Sequence, residues 1–464
     1  MGDLERGLAS GRRVAGELAP PAGAGRHRSF RRGHAADTPI GECAARASAP
    51  HRQDGALDTP AKGFDNKAAV VLVIALAVMI TVRPRELNFL RLLPFLLPLL
   101  LLSIHLAGRT PDGLKSVRIS FPVLLLAAYA STTTAWSEAL VLSVAESVSI
   151  FTLAAIASIV ASFCSLRELV AGVLAGCLSV FGASVVVALV SPGYGLVSDT
   201  YEAGSLRGIM LDRNSLSFVL LIGLIAALVY DFRSRSRRAA KFFICALFVS
   251  GVLWTASSTC LIMSVVAIAF AAELALIRRV PVSQRKWAAM GGALVTAVVA
   301  VYVAARFNEV LMLVDRDPSL TGRTRIWPAV QNMISQNPWL GHGWGAVWSN
   351  PSLRQQIARS IGFDVSHSHN GYLDIQIQLG AVGLALTLLV LLLVCFRGVA
   401  LYIRSSSSLS SWPLLLTVVL VLYNRVETSF SAPSTMFLMF VTLVVLDRTR
   451  AIALIESERS LQKV

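Results

Sequence analysis

In SHSHNGYLDIQIQLGAVGLALTLLVLLLVCF, residues 366–396, a polar loop leads directly into a long apolar segment. A helix needs about 20 mostly apolar residues to cross a bilayer, and apolar segments approaching or exceeding that length recur along the chain. Hydrophobic residues make up 55% of the 464 and charged residues 15%, with a mean hydropathy of +0.65. Since helices satisfy their own backbone groups in lipid, the sequence predicts an all-α polytopic membrane protein.

Twelve apolar segments are predicted to be transmembrane helices. They are residues 68–82, 87–107, 119–135, 139–163, 169–190, 215–230, 242–256, 260–277, 287–305, 373–396, 412–429 and 434–446.

The distribution of Lys and Arg predicts the orientation, because cytoplasmic loops carry the excess. Loops at 108–118, 164–168, 231–241, 278–286 and 397–411, with the C-terminal tail, hold 19 of these residues. The short loops of the alternate set hold about five, of which Arg83 and Arg85 lie in an outer turn and oppose the trend. Both termini are therefore expected in the cytoplasm, and residues 306–372 outside.

This orientation divides the chain into five regions. Residues 1–66, rich in Arg, Ala, Gly and Pro without apolar periodicity, are expected to form a disordered basic cytoplasmic tail. Residues 67–305 form an N-terminal bundle of about nine helices, 306–372 a large outer loop, 373–447 the C-terminal helices and 448–464 a cytoplasmic tail. The cytoplasmic loops are too short for a nucleotide-binding domain and no Walker-type glycine loop is present. This argues against an ATP-driven pump and a nucleotide-sugar enzyme, and no cofactor is expected.

The large outer loop concentrates Arg, His, Trp and Gly in three motifs: GRTRIWPAV from 322, NPWLGHGWG from 337 and SHSHNGYLDI from 366. Residues 324–335 predict an amphipathic helix that Pro338 and the following glycines end. Its expected apolar face consists of Ile326, Val330, Met333 and Ile334.

His369 is the favoured catalytic residue of this loop. His369 and Asn370 fall at the predicted N-terminus of the next helix, where the positive end of the helix dipole disfavours imidazolium. His369 would then be neutral and able to accept a proton. The alternative is that His369 is an ordinary solvated loop residue. This alternative is stronger for His367 and His342 than for His369.

Arginines on the outer face form the second group of candidates. Arg323 and Arg325 lie in the large loop, while Arg207 and Arg213 lie in the other long outer loop, residues 191–214. The planar guanidinium holds phosphate oxygens through two parallel hydrogen bonds, although each could also be ordinary loop charge. Trp327 could stack on a sugar face, but an anchoring role at the membrane interface, shared by Trp339, Trp344 and Trp348, is the simpler interpretation.

Charged residues in apolar segments are costly and usually face a cavity or a partner. Arg425 and Glu427 come near the outer end of the eleventh segment and are expected to line the same outward cavity. Glu146 falls in mid-segment and has no assigned role. Asp315 and Asp317 form an Asp-x-Asp pair that could hold a metal, but Arg316 between them favours a salt-bridging role, so no metal site is predicted.

The order of DRDPSLTGRTRIW, NPWLGHGWG and HSHNGYLDIQIQLGAVGL in one outer loop resembles the O-antigen ligase and Wzy-type polysaccharide polymerase superfamily, including exopolysaccharide polymerases of the succinoglycan type. LDRNSLSFVL upstream and NRVETSF downstream extend the resemblance over residues 209–445. Two features depart from it: the arginine-rich tail before the first segment, and WTASSTCLIM at 254–263, where relatives often carry a Ser-Arg pair.

The resemblance implies a GT-C-like fold in the bacterial inner membrane. It also implies metal-independent, inverting transfer of a glycan from an undecaprenyl-diphosphate-linked oligosaccharide to a glycan acceptor on the periplasmic face. By motif, His369 looks like the catalytic histidine, Arg323 the loop arginine, and Arg213 with Asn214 the upstream arginine. Membrane lipids, a flippase and a chain-length regulator are the implied partners; nucleic acid is not.

Three interpretations follow. The favoured one is an enzyme, either a polymerase of an exopolysaccharide or O-antigen or, alternatively, a ligase that transfers glycan to lipid A core. The second is a transporter or flippase of lipid-linked oligosaccharide, which would usually show repeated halves and polar broken helices at the bilayer midplane. The third is a structural scaffold of the envelope.

Overall fold

The computed structural model describes residues 67–81, 89–108, 117–198, 202–232, 235–305 and 322–461, and within them the protein is helical. These ranges contain one isolated bridge, between Leu196 and Leu206, and no strand. The all-α prediction is confirmed for this part of the chain. The predicted tail, residues 1–66, and the pair Asp315 and Asp317 lie outside the described residues.

Sixteen α-helices are described, and we number them in chain order. They are α1 Lys67–Thr81, α2 Phe89–Gly108, α3 Phe121–Thr132, α4 Leu140–Phe163, α5 Leu166–Val190, α6 Pro192–Gly195, α7 Arg213–Val229, α8 Arg235–Trp254, α9 Ser258–Ile277, α10 Val282–Ala305, α11 Arg323–Gln336, α12 Ala346–Ser349, α13 Pro351–Ile361, α14 Gly371–Arg404, α15 Trp412–Tyr423 and α16 Pro433–Leu461.

Every predicted apolar segment overlaps one of these helices. Within the described residues, α4, α5, α9 and α14 are long and apolar enough to cross a membrane, and six further apolar helices are shorter. The protein is thus a multi-pass helical membrane protein. Twelve crossings remain a prediction from the sequence.

Close packing of α1 against α5 depends on two glycines four residues apart. A Cβ added at Gly172 would lie 2.5 Å from the Cβ of Ile74, and one at Gly176 would lie 2.9 Å from that of Val78. Small residues at this spacing let two helices approach closely in lipid, where packing rather than the hydrophobic effect drives association. This contact belongs to the main core of the molecule.

Helix α14 is broken at Gly380, whose φ of 66° and ψ of −169° are incompatible with a helix and essentially confined to glycine. The NPWLGHGWG segment supplies the missing backbone partners. Ala381 N donates to Pro338 O at 2.8 Å, Gly343 N to Gln378 O at 2.9 Å and His342 N to Ile377 O at 3.0 Å. The tenth predicted segment is therefore not one continuous helix from residue 373. At the break, backbone hydrogen bonds to this loop take the place of hydrogen bonds within the helix.

The outer loop has a small core of its own. The predicted face of α11, comprising Ile326, Val330, Met333 and Ile334, is buried. It packs in one cluster with apolar residues of α13 and with Ile377 of α14. The predicted amphipathic helix and its end before Pro338 are confirmed, and this core fixes the start of α11 relative to the start of α14.

Helix α15 ends at Tyr423, so the predicted apolar segment 412–429 is too long. Asn424 terminates it, because its Oδ1 accepts hydrogen bonds from Ser429 N at 2.8 Å and Phe430 N at 2.9 Å. Residues 424–432 therefore form a tight connection to α16. Arg425 and Glu427 lie in this connection and not in a helix.

Candidate functional site

A polar cluster forms where this connection meets the starts of α7, α11 and α14. We call it the Glu427 cluster and define it by five residues: Asn214, Arg323, His367, His369 and Glu427. The Glu427 side chain, 4% exposed, lies at its centre.

Backbone contacts fix Glu427 beside the start of α14. Gly371 N donates to both Asn424 O at 2.8 Å and Glu427 O at 3.0 Å. A Cβ at Gly371 would lie 1.8 Å from the Asn424 Oδ1, so the approach requires glycine. Asn370 caps the helix, its side chain accepting from Tyr372 N at 3.1 Å and Leu373 N at 3.2 Å. This confirms the predicted helix N-terminus and gives Asn370 a structural task.

His369 contacts Glu427 from an uncommon backbone conformation. Its φ is +51°, in the left-handed region that few non-glycine residues adopt. The ring Nδ1 lies 3.1 Å from Glu427 Oε2. Because an ionised carboxylate only accepts hydrogen bonds, Nδ1 carries the proton in this contact, and in the neutral form of the ring Nε2 has the lone pair.

Glu427 is ionised in this environment. Burial alone would raise its pKa, but the hydrogen bond from His369 and the charge of Arg323 lower the pKa below its usual value. Arg323 Nη2 lies 2.5 Å from Glu427 Oε1. One carboxylate therefore holds an imidazole on one oxygen and a guanidinium on the other.

Arg323 is the first residue of α11, where the helix dipole opposes a positive charge. Gly322 precedes it with a φ of 88° that turns the chain into the helix. Glu427 compensates the dipole, and the arginine side chain is 11% exposed. Within the described residues, its other guanidinium nitrogens make no hydrogen bond, so they can bind a further anion.

His367 packs beside His369, with the ring centroids 4.0 Å apart. Its Nδ1 lies 3.0 Å from the Ser366 Oγ. Burial, followed by the neighbouring His369, lowers the pKa of His367, which favours its neutral form. One ligand atom each from His367, His369 and Glu427 lie within 4.8 Å of one another, so these three residues could hold a metal ion.

The two residues predicted at the upstream motif point in different directions. Asn214 Nδ2 lies 3.5 Å from Glu427 Oε1 and joins the cluster. Arg213 instead donates to Thr255 O at 3.1 Å and Ala256 O at 2.5 Å and pairs with Glu202. Its guanidinium ties the α8–α9 turn to the loop that contains Glu202, residues 191–214.

The remaining predicted substrate-binding residues make no described contact with Glu427. Arg207 donates to Tyr194 O at 2.6 Å, and Arg325 and Arg425 are exposed. The Trp327 indole donates to Ser368 O at 3.1 Å and is half-buried. Trp327 therefore braces the segment that carries both histidines.

Several residues differ from the sequence-based expectations. Trp344 is 2% exposed, so the prediction of an interfacial anchor is wrong for this residue. His342 is buried and its Nε2 lies 3.0 Å from Met333 O, a contact that supports α11. Glu146 is not in mid-helix but in the second turn of α4. Its side chain packs against Gly345, where an added Cβ would lie 2.2 Å from the Glu146 Cγ.

Asp374 was missed by the sequence analysis. It is 1% exposed and accepts from Ser431 Oγ at 2.7 Å and Gln378 Nε2 at 3.2 Å. Ser368 also donates to it, from its backbone N at 3.3 Å. Asp374 thus ties the histidine segment to the connection before α16. An aspartate within the first turn of a predicted helix was the available signal.

A family model matches part of the chain. Residues 243–388 match the family model described as O-antigen ligase. The matched range contains Arg323, His367 and His369, whereas Asn214 and Glu427 lie outside it. No curated protein matches the chain.

Proposed function

Because the chain carries an O-antigen ligase family domain at residues 243–388, we propose that it transfers a glycan from an undecaprenyl-diphosphate-linked donor to a glycan acceptor. The reaction takes place at the periplasmic face of the bacterial inner membrane, with both termini in the cytoplasm. The single observation that carries the proposal is the Glu427 carboxylate, which contacts His369 and Arg323 through its two oxygens.

His369 acts as the general base. Its Nε2 lone pair takes the proton of the acceptor hydroxyl, and the acceptor oxygen forms a bond to the anomeric carbon of the donor. Attack opposite the leaving group inverts this carbon. The bond from the anomeric carbon to the diphosphate oxygen breaks, and its electron pair leaves with undecaprenyl diphosphate.

Arg323 stabilises the departing diphosphate. The N–H groups of its guanidinium that do not contact Glu427 can donate to phosphate oxygens, and its burial strengthens the interaction relative to water. The leaving group is already activated as a diphosphate, so a cation and a base are sufficient and the proposed reaction uses neither a metal nor another cofactor.

The other predicted residues have supporting roles. Glu427 orients His369 and Arg323, and Asn214 hydrogen bonds to Glu427. Arg213, with its guanidinium engaged by carbonyls, acts as a positioning residue that sets the start of α7.

Two exposed arginines, the half-buried Arg207 and one tryptophan are available to the substrate. Arg207, Arg325 and Arg425 are placed to bind phosphate or glycan as the substrate enters, and the face of Trp327 is placed to contact a sugar. Asn370 supports His369 by capping α14.

We favour a polymerase, whose acceptor is a second lipid-linked glycan, because the motifs resemble exopolysaccharide proteins. A ligase acting on lipid A core shares the same chemistry and differs in its acceptor. In a polymerase pathway, a flippase would supply the donor and a chain-length regulator would act on the product.

The test uses purified protein in lipid nanodiscs with a lipid-diphosphate-linked glycan. Glycan transfer and released undecaprenyl diphosphate are measured with a second lipid-linked glycan or with lipid A core as acceptor. We expect longer lipid-linked glycan in the first case, and activity that persists in excess chelator. Transfer to lipid A core alone would identify a ligase. In a parallel assay with the protein in sealed vesicles, movement of intact donor across the membrane without transfer would replace the enzyme by a transporter.

A further inference from the structure

We propose that His367, His369 and Glu427 form a binding site for Zn²⁺ and that the bound ion inhibits glycan transfer. The inhibitory part rests on the proposed function, whereas zinc binding itself does not. His367 has no part in the proposed reaction, yet its ring lies 4.0 Å from that of His369.

The distance between His369 and Glu427 fits a zinc ion, and because the three candidate ligand atoms lie within 4.8 Å of one another, the His367 ring must turn closer to complete the site. Tetrahedral zinc holds nitrogen and oxygen ligands at about 2.0–2.2 Å, which places two of them about 3.3 Å apart. His369 Nδ1 and Glu427 Oε2 are 3.1 Å apart, so the ion can take the place of the proton between them with a small adjustment. Since His367 Nδ1 contacts Ser366 Oγ, its Nε2 is the atom left for the metal.

The ligand types select the metal. Two imidazoles and one carboxylate suit zinc, with water in the fourth position. Magnesium and calcium prefer sets of oxygen ligands. Arg323 occupies the other carboxylate oxygen and can stay there while Oε2 binds the ion.

Inhibition follows from the position of the proton on His369. With zinc on Nδ1, the single proton of the neutral ring moves to Nε2. That nitrogen then donates and can no longer accept the proton of the acceptor hydroxyl. The ion therefore removes the base without covering the arginine.

The experiment uses the full chain without a polyhistidine tag, stripped with chelator and returned to nanodiscs. Zinc binding is measured by competition with a colorimetric zinc indicator in wild type, His367→Gln and His105→Gln. His105 is an exposed histidine of α2 outside the cluster and provides the matched control. Transfer is measured in each protein as the ratio of rates with and without zinc, which cancels differences in basal rate. Size-exclusion profiles and thermal unfolding check that each variant is folded.

We expect wild type and His105→Gln to bind one zinc ion that His367→Gln binds on the order of 10- to 100-fold more weakly. Zinc should slow transfer in the first two proteins, with recovery on adding chelator, and millimolar magnesium should not. The zinc concentration for half inhibition should rise at least tenfold in His367→Gln. Equal zinc binding by wild type and folded His367→Gln would overturn the site.

Zinc bound at the cluster without a change in transfer would overturn the inhibitory role. A protein with no transfer activity in any condition would count against the proposed function, and the binding measurement would still decide the metal site.

Discussion

Both oxygens of the Glu427 carboxylate are engaged, one by an imidazole and one by a guanidinium. At the scale of the residue, this shared contact keeps a base and a cation at a fixed separation. The sequence predicted His369 and Arg323 by motif and placed Glu427 in the same cavity. It could not predict that one carboxylate holds both, because the partners are 58 and 104 residues away along the chain.

The left-handed backbone of His369 determines which substitution tests the base. Asparagine tolerates positive φ better than alanine does, so His369→Asn should unfold at a higher temperature than His369→Ala. Both substitutions should lower the rate of transfer on the order of 10²- to 10⁴-fold, the usual contribution of one positioned proton acceptor. Transfer by folded His369→Asn near the wild-type rate would remove the base from the mechanism.

Arg323→Lys separates charge from geometry. Lysine keeps the ion pair with Glu427 but lacks the planar fork that binds two phosphate oxygens. We expect a large loss of transfer, with normal thermal unfolding. Arg359→Lys, on the exposed face of α13, is the matched control and should change transfer little. Equal rates for Arg323→Lys and wild type would show that a point charge is sufficient.

The lowered pKa of Glu427 predicts a dependence of stability on pH. A carboxyl group whose pKa is lower in the folded state contributes stability above its unfolded pKa and loses it as pH falls through the folded value. The unfolding temperature of wild type should therefore fall more between pH 7 and pH 4 than that of Glu427→Gln. Parallel losses in the two proteins would mean that Glu427 is not held ionised.

At the scale of the element, helices were predicted correctly where apolar periodicity or a capping residue marks them. Features that depend on a hydrogen-bond partner far along the chain were not predicted. Helix α11 and the start of α14 follow from their apolar face and polar cap. The break at Gly380 does not, because a glycine in apolar sequence is common and its backbone partners belong to a loop about 40 residues upstream. The contacts of Arg213 with Thr255 O and Ala256 O could not be predicted for the same reason.

Gly380→Ala tests the break. Alanine would need a conformation that costs on the order of 1–3 kcal/mol, and its Cβ would meet Trp339 O at 2.1 Å. We expect lower thermal stability and reduced transfer. Gly291→Ala, in α10 with no atom within 4 Å of an added Cβ, is the control and should be neutral or slightly stabilising. Similar melting temperatures for the two variants would contradict the described break.

At the scale of the molecule, composition predicted the helical membrane fold, while the number of crossings rests on the apolar segments of the sequence and the orientation on charge. Ser352 is exposed at the start of α13 in the outer loop. In intact spheroplasts, Ser352→Cys should react with a membrane-impermeant thiol reagent. Cys43, in the predicted cytoplasmic tail, is an internal control and should react only after the membrane is broken. The reverse pattern would invert the topology and move the proposed site to the cytoplasm.

The break in α14 also constrains how the protein is made. Unpaired backbone groups are costly in lipid, and the carbonyls of Ile377 and Gln378 find their partners in the NPWLGHGWG segment. That segment leaves the ribosome before α14 does. Translation order therefore makes the loop available as a template before α14 is complete, so that the nascent helix can form these hydrogen bonds as it inserts.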